Sequence, residues 1–567
     1  MFWGPGETVA AGEMSVLSAL LESCVRDGYE PEEFLARARR ELTVSQPMTE
    51  TVLEALYRRF LTLQQEGRNS IWARLIKNAF APVLVGEFDF VVGNPPWVNW
   101  ESLSGEYREA TKRLWQDYGL FSLTGHAARL GGGKKDLAML FAYAAIDHYL
   151  KKGGRLGFVI TQTVFKTKGA GDGFRRFRLG EKGDHLRVLH VDDMSRLQPF
   201  EGATNRTSVM VCQRGQKMHY PVPYTLWGKG TGSARVDIDK PLDEVMGETV
   251  RTNMWAQPVD NSSPSSPWMT ARKAALSALQ KVIGPAAYQA RAGSCTWANG
   301  IYWIRVLGQR PEGLLLIENL GEVGKRDVAC ERAAVEPDLV YPLLRGREVG
   351  RWRANPGAYI LMVQDPETRR GYEESRMRVE YPRLYSYLRR FEEDLRSRSG
   401  LKQYFDPAKD PFYSMYNVAQ YTFAPYKVVW REQASTFTVA VVGCQGDKAI
   451  VPDHKLMLVP FEDQREAHFV CGVLASVIAQ LVVRSYVVSV STSTHVLEHI
   501  AVPRFDSNNP VHTRLAQLSQ QAHQLSAAGG KAGLAEVEAQ VDQAAAELWG
   551  ITERELREIR RSLEELG

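Results

Sequence analysis

The chain has 567 residues, of which 44% are hydrophobic and 24% charged, a composition typical of a soluble globular protein with about three or four domains. The sequence contains no run of about 20 apolar residues, so no membrane span is predicted. Met1–Glu7 lacks the basic start and the apolar stretch of a signal peptide. Six cysteines without paired spacing argue against a disulfide framework or zinc ligands and indicate a reducing cytoplasm. The net charge of +4 permits a polyanionic partner without requiring one.

The N-terminal part of the chain, residues 1–84, is predicted to be helical, because its apolar residues recur at helical spacing from about Met14 to Ala79. The character changes at Phe88–Gly93, a short β-rich run. It ends in Gly-Asn-Pro-Pro, which no strand can continue. A helix is predicted at Leu137–Leu150, with a C-cap at Lys151–Gly154.

Three further apolar segments are predicted to be strands: Arg155–Thr161, Leu186–Val191 and Thr207–Cys212. Strands of this kind alternating with a helix indicate an α/β unit around a mostly parallel sheet. Residues 85–235 are therefore expected to form one such α/β subdomain.

A domain boundary is predicted between Leu226 and Ser266, where Gly- and Ser-rich stretches interrupt the pattern. Residues 236–507 then form an α+β region, with a hairpin turn at Asn299-Gly300, a basic amphipathic helix at Arg376–Arg398 and a strand at Lys427–Val442. Residues 508–567 are predicted to be helical again, with a break at Ala528–Gly530.

The motif that indicates chemistry is Asn94-Pro95-Pro96-Trp97 at the end of the first predicted strand. An exocyclic amine on adenine is a poor nucleophile, because its lone pair is delocalised into the ring. The Asn94 side-chain carbonyl and a backbone carbonyl could accept hydrogen bonds from that amine and localise the pair. Proline holds such a turn rigid, and Trp97 could stack on a base that has left the duplex.

Here the sequence resembles the N6-adenine DNA methyltransferases, whose catalytic motif is Asn/Asp-Pro-Pro followed by an aromatic residue. In the Taq-type subgroup a helix, a Gly-Gly turn and a strand like Phe-Val-Ile follow the motif. This chain has Leu140–Tyr143, then Tyr149–Gly154, then Gly157–Thr161. The family also carries a Phe before a later strand, on the other face of the flipped adenine, and Phe200 occupies the matching place; the alternative is an ordinary core Phe.

The later half resembles the target-recognition region of large restriction–modification and phage-defence (DISARM-like) members of this group. The segments that carry this looser resemblance are Tyr341–Trp352, Glu380–Pro382, Tyr426–Arg431 and Val496–Pro503. The resemblance implies that residues 85–235 are the catalytic subdomain, part of a Rossmann-like methyltransferase sheet, and that residues 236–507 are the target-recognition domain. It implies double-stranded DNA as the substrate and S-adenosylmethionine as the cofactor. It also implies that Asn94 and Pro95 accept hydrogen bonds from the amine, that Trp97 and Phe200 stack on the base, and that Asn94 and Pro96 lie beside the cofactor.

The sequence departs from the family upstream of the motif, where a Gly-rich cofactor loop and an acidic strand end are expected. Phe2–Gly6 has glycines but no preceding strand, and Lys168–Gly173 follows the motif in the wrong order. We therefore expect that the chain starts inside a longer protein and that the cofactor-binding half lies on a separate or missing chain. A sheet lacking its first strands would expose a hydrophobic edge, which folded proteins avoid.

Basic residues interleave with aromatic ones in the recognition region and are predicted to bind DNA; the alternative is a solvated charged face. These predicted DNA contacts are Arg345, Arg347, Lys427, Trp430 and Arg431. His495–His499 fits the His-x-x-Glu-His pattern of some zinc peptidases, but its β-like flanks argue against a metal site.

Three functions are compatible with these residues. The first is an adenine-N6 DNA methyltransferase of a restriction or phage-defence system. The second is a DNA-recognition module whose catalytic part is inactive without its partner chain. The third is a protein glutamine-amide methyltransferase, since that class shares Asn-Pro-Pro-Tyr, but such enzymes are smaller and lack a long recognition region.

Overall fold

The computed structural model describes twelve stretches of the chain. They are residues 11–42, 47–67, 86–122, 135–197, 199–200, 202, 205–230, 239–263, 265–324, 328–434, 436–486 and 493–566. Phe2–Gly6 lies outside them, and so do residues 487–492, which belong to the β-like flank before His495–His499. No single helix of the described residues is long and apolar enough to span a membrane. One bent pair, Gln464–Ala475 with Val477–Tyr486, meets the criteria of length and composition together.

Three helices come first, as the helical spacing predicts for the described residues. They are α1 (Ala11–Arg26), α2 (Pro31–Glu41) and α3 (Pro47–Gln65). Their apolar faces form a small core of their own, in which the rings of Phe34 and Tyr57 stack at 4.2 Å. This helical unit therefore has its own stabilising burial.

A seven-stranded mixed sheet follows. Its elements are β1 (Phe88–Gly93), α4 (Gly105–Asp117), α5 (Leu137–Tyr149), β2 (Leu150–Thr161), the single turn α6 (Thr163–Lys166), β3 (Leu186–Asp193), β4 (Thr207–Arg214), β5 (Val222–Lys229), α7 (Leu242–Glu248), β6 (Thr249–Pro258) and β7 (Trp268–Ala271). The strand order is β1-β2-β4-β3-β5-β6-β7. Only β1 with β2 and β3 with β5 are parallel; the other four pairings are antiparallel.

The prediction of a mostly parallel sheet is therefore wrong, although its strands form where the sequence indicates. Apolar runs reveal that strands are buried, but they contain no signal for strand direction. The sheet also continues beyond residue 235, since β6 and β7 follow the predicted domain boundary and pair within the same sheet.

The predicted C-cap after α5 is also corrected, because Lys151–Gly154 belongs to β2 and produces an irregularity in its pairing with β1. The carbonyls at the end of α5 are satisfied by Arg214, whose guanidinium donates to Ile146 O at 3.0 Å and to Leu150 O at 2.6 Å. A cationic side chain here offsets the negative end of the helix dipole, so no glycine cap is required.

The next part of the chain, residues 273–461, contains two larger sheets and two two-stranded ones. Its elements are α8 (Lys273–Leu279), β8 (Arg291–Ala292), α9 (Asn299–Tyr302), β9 (Trp303–Gln309), β10 (Leu315–Asn319), β11 (Arg332–Val335), β12 (Val340–Leu344), β13 (Val349–Gly350), β14 (Arg353–Ala354), β15 (Ala358–Leu361), α10 (Glu374–Glu380), α11 (Pro382–Arg389), α12 (Glu392–Ser397), α13 (Ser399–Tyr404), β16 (Tyr426–Arg431), β17 (Val439–Val442), β18 (Cys444–Gln445), β19 (Lys448–Ala449), β20 (Val451–Pro452) and β21 (Leu456–Phe461). The larger sheet has the order β11-β10-β9-β15-β12-β20, and the second β17-β16-β21-β8.

Two predictions in this region are wrong. Asn299-Gly300 begins the short helix α9 instead of forming a hairpin turn. The long helix predicted at Arg376–Arg398 is three short helices, because Pro382 can start α11 but cannot continue α10. Phe391 then precedes α12 with a non-helical backbone.

Five helices complete the fold. They are α14 (Gln464–Ala475), α15 (Val477–Tyr486), α16 (Pro510–Ala528), α17 (Lys531–Leu548) and α18 (Glu553–Leu566). The break predicted at Ala528–Gly530 is present, and Gly529 closes α16 with a φ of 74°. Residues of these helices share one hydrophobic core with the seven-stranded sheet, whereas β9–β15 and α10–α12 surround a second core.

Candidate functional site

The Asn-Pro-Pro-Trp segment follows β1 at the point where that strand runs parallel to β2, with Gly93 opposite Phe158. A side chain at Gly93 would place its Cβ 3.2 Å from the Phe158 ring, so only glycine allows this close pairing without displacement. Pro95 is buried, whereas Asn94 and Pro96 are exposed. The Asn94 amide forms no hydrogen bond with the residues that the structure describes, and it is therefore available to a ligand.

Backbone and side-chain contacts hold the residues after the two prolines. The Trp97 indole nitrogen donates to Val159 O in β2 at 3.2 Å. The Trp100 amide donates to Lys135 O at 2.8 Å, and the Leu137 amide donates to Val98 O at 2.9 Å. The segment is therefore tied both to the neighbouring strand and to the start of α5.

Asp136 is a positioning residue that the motif search missed. Its carboxylate caps α5 by accepting from the Ala138 amide at 3.0 Å, and it also accepts from the Thr161 hydroxyl at 2.9 Å. Burial raises the pKa of Asp136, and these two hydrogen bonds act in the opposite direction. An Asp directly before an apolar helix is an N-cap signal, so sequence inspection could have found it.

The structure brings Phe200 to Trp97. Their ring centroids are 5.1 Å apart and their planes meet at 79°, an edge-to-face contact. Phe200 is 38% exposed, which is inconsistent with an ordinary core Phe. A base held between two ring faces needs them roughly 7 Å apart, twice the ~3.5 Å contact distance. The two rings therefore lie at one place, but they would have to separate before both could stack on a base.

Buried hydrogen bonds support the loop that carries Phe200. Asp193, at the end of β3, accepts hydrogen bonds from Gln162 and from the Tyr224 hydroxyl, and its other oxygen accepts from the Ser195 amide at 2.9 Å. The Gln162 backbone N–H also donates to Arg206 O at 2.8 Å, so Gln162 contacts both ends of this loop. The ends of β2, β3 and β4 are thereby fixed around the Trp97–Phe200 pair.

The glycine cluster at Lys168–Gly173 is packed against protein. A Cβ at Gly171 would lie 2.1 Å from Val164 O, and one at Gly173 would lie 2.4 Å from Gly119 O. The buried Arg175 guanidinium donates to Val164 O at 2.7 Å and to Thr167 O at 2.8 Å. These glycines serve close backbone packing, which agrees with rejecting this segment as a cofactor loop.

The predicted DNA contacts lie in different environments. Lys427 and Trp430 are fully buried, and the Lys427 ammonium donates to Ala424 O at 2.6 Å. Arg345 is 8% exposed and pairs with Glu348 at 2.8 Å, while Arg431 is half-buried. Only Arg347 is exposed. The structure thus corrects the prediction at Lys427 and Trp430, because their buried positions leave neither free to reach a phosphate.

His495–His499 forms a short 3-10 turn in which the His495 ring contacts Glu498 at 2.5 Å. Glu498 also pairs with Lys168 at 2.9 Å, so this carboxylate already has two partners. No group of three or more metal-ligating side chains occurs within the twelve described stretches.

Comparison with known proteins gives one family match. Residues 13–194, about a third of the chain, match the model of the Eco57I restriction-modification methylase family. The matched part contains Asn94–Trp97 and ends in β3. No match was found among curated proteins.

Several solved restriction–modification enzymes are similar to this chain at low identity. The type IIL enzyme MmeI, solved in complex with DNA, is 11% identical, with 84% of this chain covering 57% of that chain at a TM-score of 0.49. The type IIG endonuclease BpuSI is 13% identical, with 82% and 55% covered and a TM-score of 0.27. The type ISP enzyme LlaBIII, bound to DNA, is 10% identical, with 80% of this chain and 31% of that chain covered and a TM-score of 0.37. The chain thus spans little more than half of the first two.

Proposed function

We propose that this chain is the base-binding and DNA-recognition part of a DNA methyltransferase of a restriction–modification or phage-defence system, acting on N6 of adenine in double-stranded DNA. The observation that carries the proposal is the exposed Asn94 amide, which lies at a strand end beside the Trp97–Phe200 pair. The family match over residues 13–194 supports a methylase of this kind.

The chemistry assigned to this chain is activation of the amine. Asn94 Oδ1 and the Pro95 carbonyl would each accept a hydrogen bond from the adenine amino group. Two acceptors aimed at its two hydrogens favour tetrahedral nitrogen, and the lone pair then becomes available for methyl transfer. Pro96 fixes the backbone so that these acceptors are aligned before the base arrives, which is how preorganised polar groups lower a barrier.

Base flipping would bring the adenine to this place, because its amino group cannot be reached within a duplex. Trp97 would form the fixed platform, since its indole nitrogen is held by Val159 O. Phe200 would be the ring that moves, since it lies on the loop between β3 and β4 and is more exposed than the buried strands beside it.

S-adenosylmethionine would supply the methyl group. Asn94 and Pro96 would border its reactive end, but the described residues contain no loop that could hold its nucleoside. The described residues upstream of β1 are largely helical, and the Lys168–Gly173 glycines are filled by neighbouring backbone. The cofactor site is therefore incomplete in the part of the chain that the structure describes, and we assign no step to the cofactor.

We further propose that a separate chain carries the cofactor-binding half and pairs with β1 along the edge opposite β2. Three apolar side chains of this strand are exposed: Phe88 by 46%, Phe90 by 70% and Val92 by 81%. Within the described residues, β1 pairs only with β2. An apolar strand of this kind at a sheet edge is a template for pairing with another strand.

Two measurements test this function. S-adenosylmethionine is first titrated calorimetrically into the folded chain, alone and mixed with the proposed chain that carries the cofactor-binding half. DNA incubated with each sample is then digested to nucleosides and analysed by mass spectrometry. N6-methyladenine formed only with both chains is the expected result. A different methylated base refutes adenine specificity, and no methylated base from a mixture that binds the cofactor refutes the methyltransferase assignment.

A second function follows from the same incomplete cofactor site: a DNA-recognition module without methyltransferase activity, which requires a partner chain for cofactor binding. It differs from the first in its response to the partner. Such a module binds duplex DNA in both samples and binds S-adenosylmethionine only with the partner, but it methylates DNA in neither.

A further inference from the structure

A cationic cleft of about 670 Å³ lies between the second sheet of the recognition region and loops that border its second hydrophobic core. One wall is formed by Ala287–Arg291 and by Val459 and Pro460 of β21. Pro366–Arg369 and Ala419–Tyr421 form the other wall, with Arg504 at the rim. None of the predicted DNA contacts lies in it.

Three arginines line this cleft and only one carboxylate does, that of Glu367. Arg291 and Arg369 form no ion pair with any carboxylate in the described part of the chain. Arg504 lies 3.8 Å from Glu466, at the long limit of an ion pair, and its side chain is 69% exposed. The cleft is therefore electropositive and its guanidinium groups are accessible.

Tyrosine rings orient two of these guanidinium groups. Arg291 lies 5.8 Å from the centre of the Tyr421 ring, and Arg504 lies 4.8 Å from the centre of the Tyr288 ring. Burial raises the pKa of Tyr421, and the charges of Arg291 and Arg369 oppose this effect. Arg291 also donates to Gln289 Oε1 at 2.6 Å. A guanidinium held over a ring has five N–H donors, and those that remain can bind phosphate oxygens.

One segment connects the cleft to the loop that follows β2 and α6. The Ala287 amide, in the cleft wall, donates to Val502 O at 2.8 Å. Glu498, four residues before Val502, pairs with Lys168 in that loop. Arg504, at the rim of the cleft, follows Val502 by two residues and belongs to the same segment.

We propose that Arg291, Arg369 and Arg504 bind phosphodiester groups of the duplex DNA that carries the methylated base. This inference rests on the proposed function and adds to it the surface that holds the backbone. An open cleft with separated guanidinium groups fits successive phosphates of a strand. The same phosphate chemistry could come from a free nucleotide, and the experiment separates the two sources.

The test uses the full chain and compares a triple variant (R291Q, R369Q and R504Q) with a charge-matched control (R376Q, R389Q and R396Q). The control arginines lie on α10–α12, each in an ion pair with a glutamate. Binding to a random-sequence duplex is measured over a range of salt concentrations. Each phosphate contact contributes about 0.9 to the slope of log Kd against log salt. The cleft variant should lose about 3 from that slope, with no dependence on DNA sequence, and the control should keep it.

Each other outcome overturns the inference in an identifiable way. An unchanged slope in the cleft variant, with duplex binding intact, refutes the cleft but leaves the proposed function. A loss confined to particular sequences shows that these arginines read bases. Binding of ATP that the cleft variant alone loses, with an unchanged duplex slope, identifies a free-nucleotide site. A wild-type chain that binds no duplex at low salt refutes both proposals, and melting curves show whether each variant is folded.

Discussion

The rings of Phe200 and Trp97 meet edge-to-face, with the centroids 5.1 Å apart and the planes at 79°. In this arrangement one ring covers a face of the other, where a base would stack. Trp97 is held by Val159 O, whereas Phe200 lies on the β3–β4 loop. We therefore expect that capture of a base at the proposed site requires Phe200 to move away.

This relationship predicts different effects for two substitutions in the complete enzyme. Trp97→Ala should weaken base capture by about 1–3 kcal/mol, because the fixed platform is lost. Phe200→Ala removes one stacking ring, but it also removes the ring that packs against Trp97. We therefore expect it to weaken base capture less than Trp97→Ala does. Fluorescence of 2-aminopurine at the target position reports extrusion of the base. Equal signals from wild type and Trp97→Ala would show that Trp97 is not the platform.

Asn94→Ala should nearly abolish methylation while the affinity for DNA is kept. Removing one preorganised polar contact costs on the order of 3 kcal/mol in the barrier, or about a hundredfold in rate. Single-turnover methylation and duplex binding are measured on the same protein. Asn99→Ala is the matched control, since Asn99 is exposed five residues later and caps no helix with its side chain. Retention of more than a tenth of the activity would argue against the role of Asn94.

The local features of the site could be predicted from the sequence. A β-rich run that stops at Asn-Pro-Pro predicts a strand that ends at this motif, since proline cannot continue the strand. The proximity of Phe200 to Trp97 followed from the family resemblance, because no local pattern brings residues so distant in sequence together. The contact from the Trp97 indole to Val159 O could not be predicted, because it depends on the register of β1 against β2.

Two predicted DNA contacts, Lys427 and Trp430, are wrong for a physical reason that the sequence does not contain. Tyr426–Arg431 contains both basic and aromatic residues, as a nucleic-acid surface would. In the structure β16 is a central strand between β17 and β21, and its four middle residues are buried. A long lysine stem can fill such a place while its ammonium binds a carbonyl. The arginines of the cleft, in contrast, come from three separate segments and have no common motif.

The exposed residues of β1 should determine association with the cofactor-binding chain. Replacing Phe90 and Val92 by Thr keeps β propensity but removes apolar area from a face that is now 70% and 81% exposed at these positions. The variant should be more soluble alone and should fail to form the complex. Light scattering and co-purification measure the two effects. Val379→Thr, on α10 and also 81% exposed, is the control and should change neither. A complex that survives the β1 variant would show that the partner binds elsewhere.

Lys427 gives the protein a pH-dependent stability that its burial explains. Burial lowers the pKa of its ammonium from 10.5 to about 8. Between those values the unfolded chain binds the proton that the folded chain has lost, so stability rises with pH over this range. Below pH 8 the buried charge costs up to ~3 kcal/mol, at 1.36 kcal/mol for each tenfold change. Lys427→Met should therefore be stabilising at pH 7, and its advantage over wild type should shrink towards pH 10.

Urea unfolding of both proteins at pH 7 and at about pH 10 measures this difference, and the buried tyrosines and cysteines common to both cancel in the comparison. Lys135, whose pKa burial also lowers to about 8, offers a parallel variant, Lys135→Met. The same Lys427→Met protein should keep the salt dependence of duplex binding, because the replaced ammonium lies inside the protein. A constant stability difference at both pH values together with a lower salt slope would place Lys427 at the DNA surface, as its sequence context suggests.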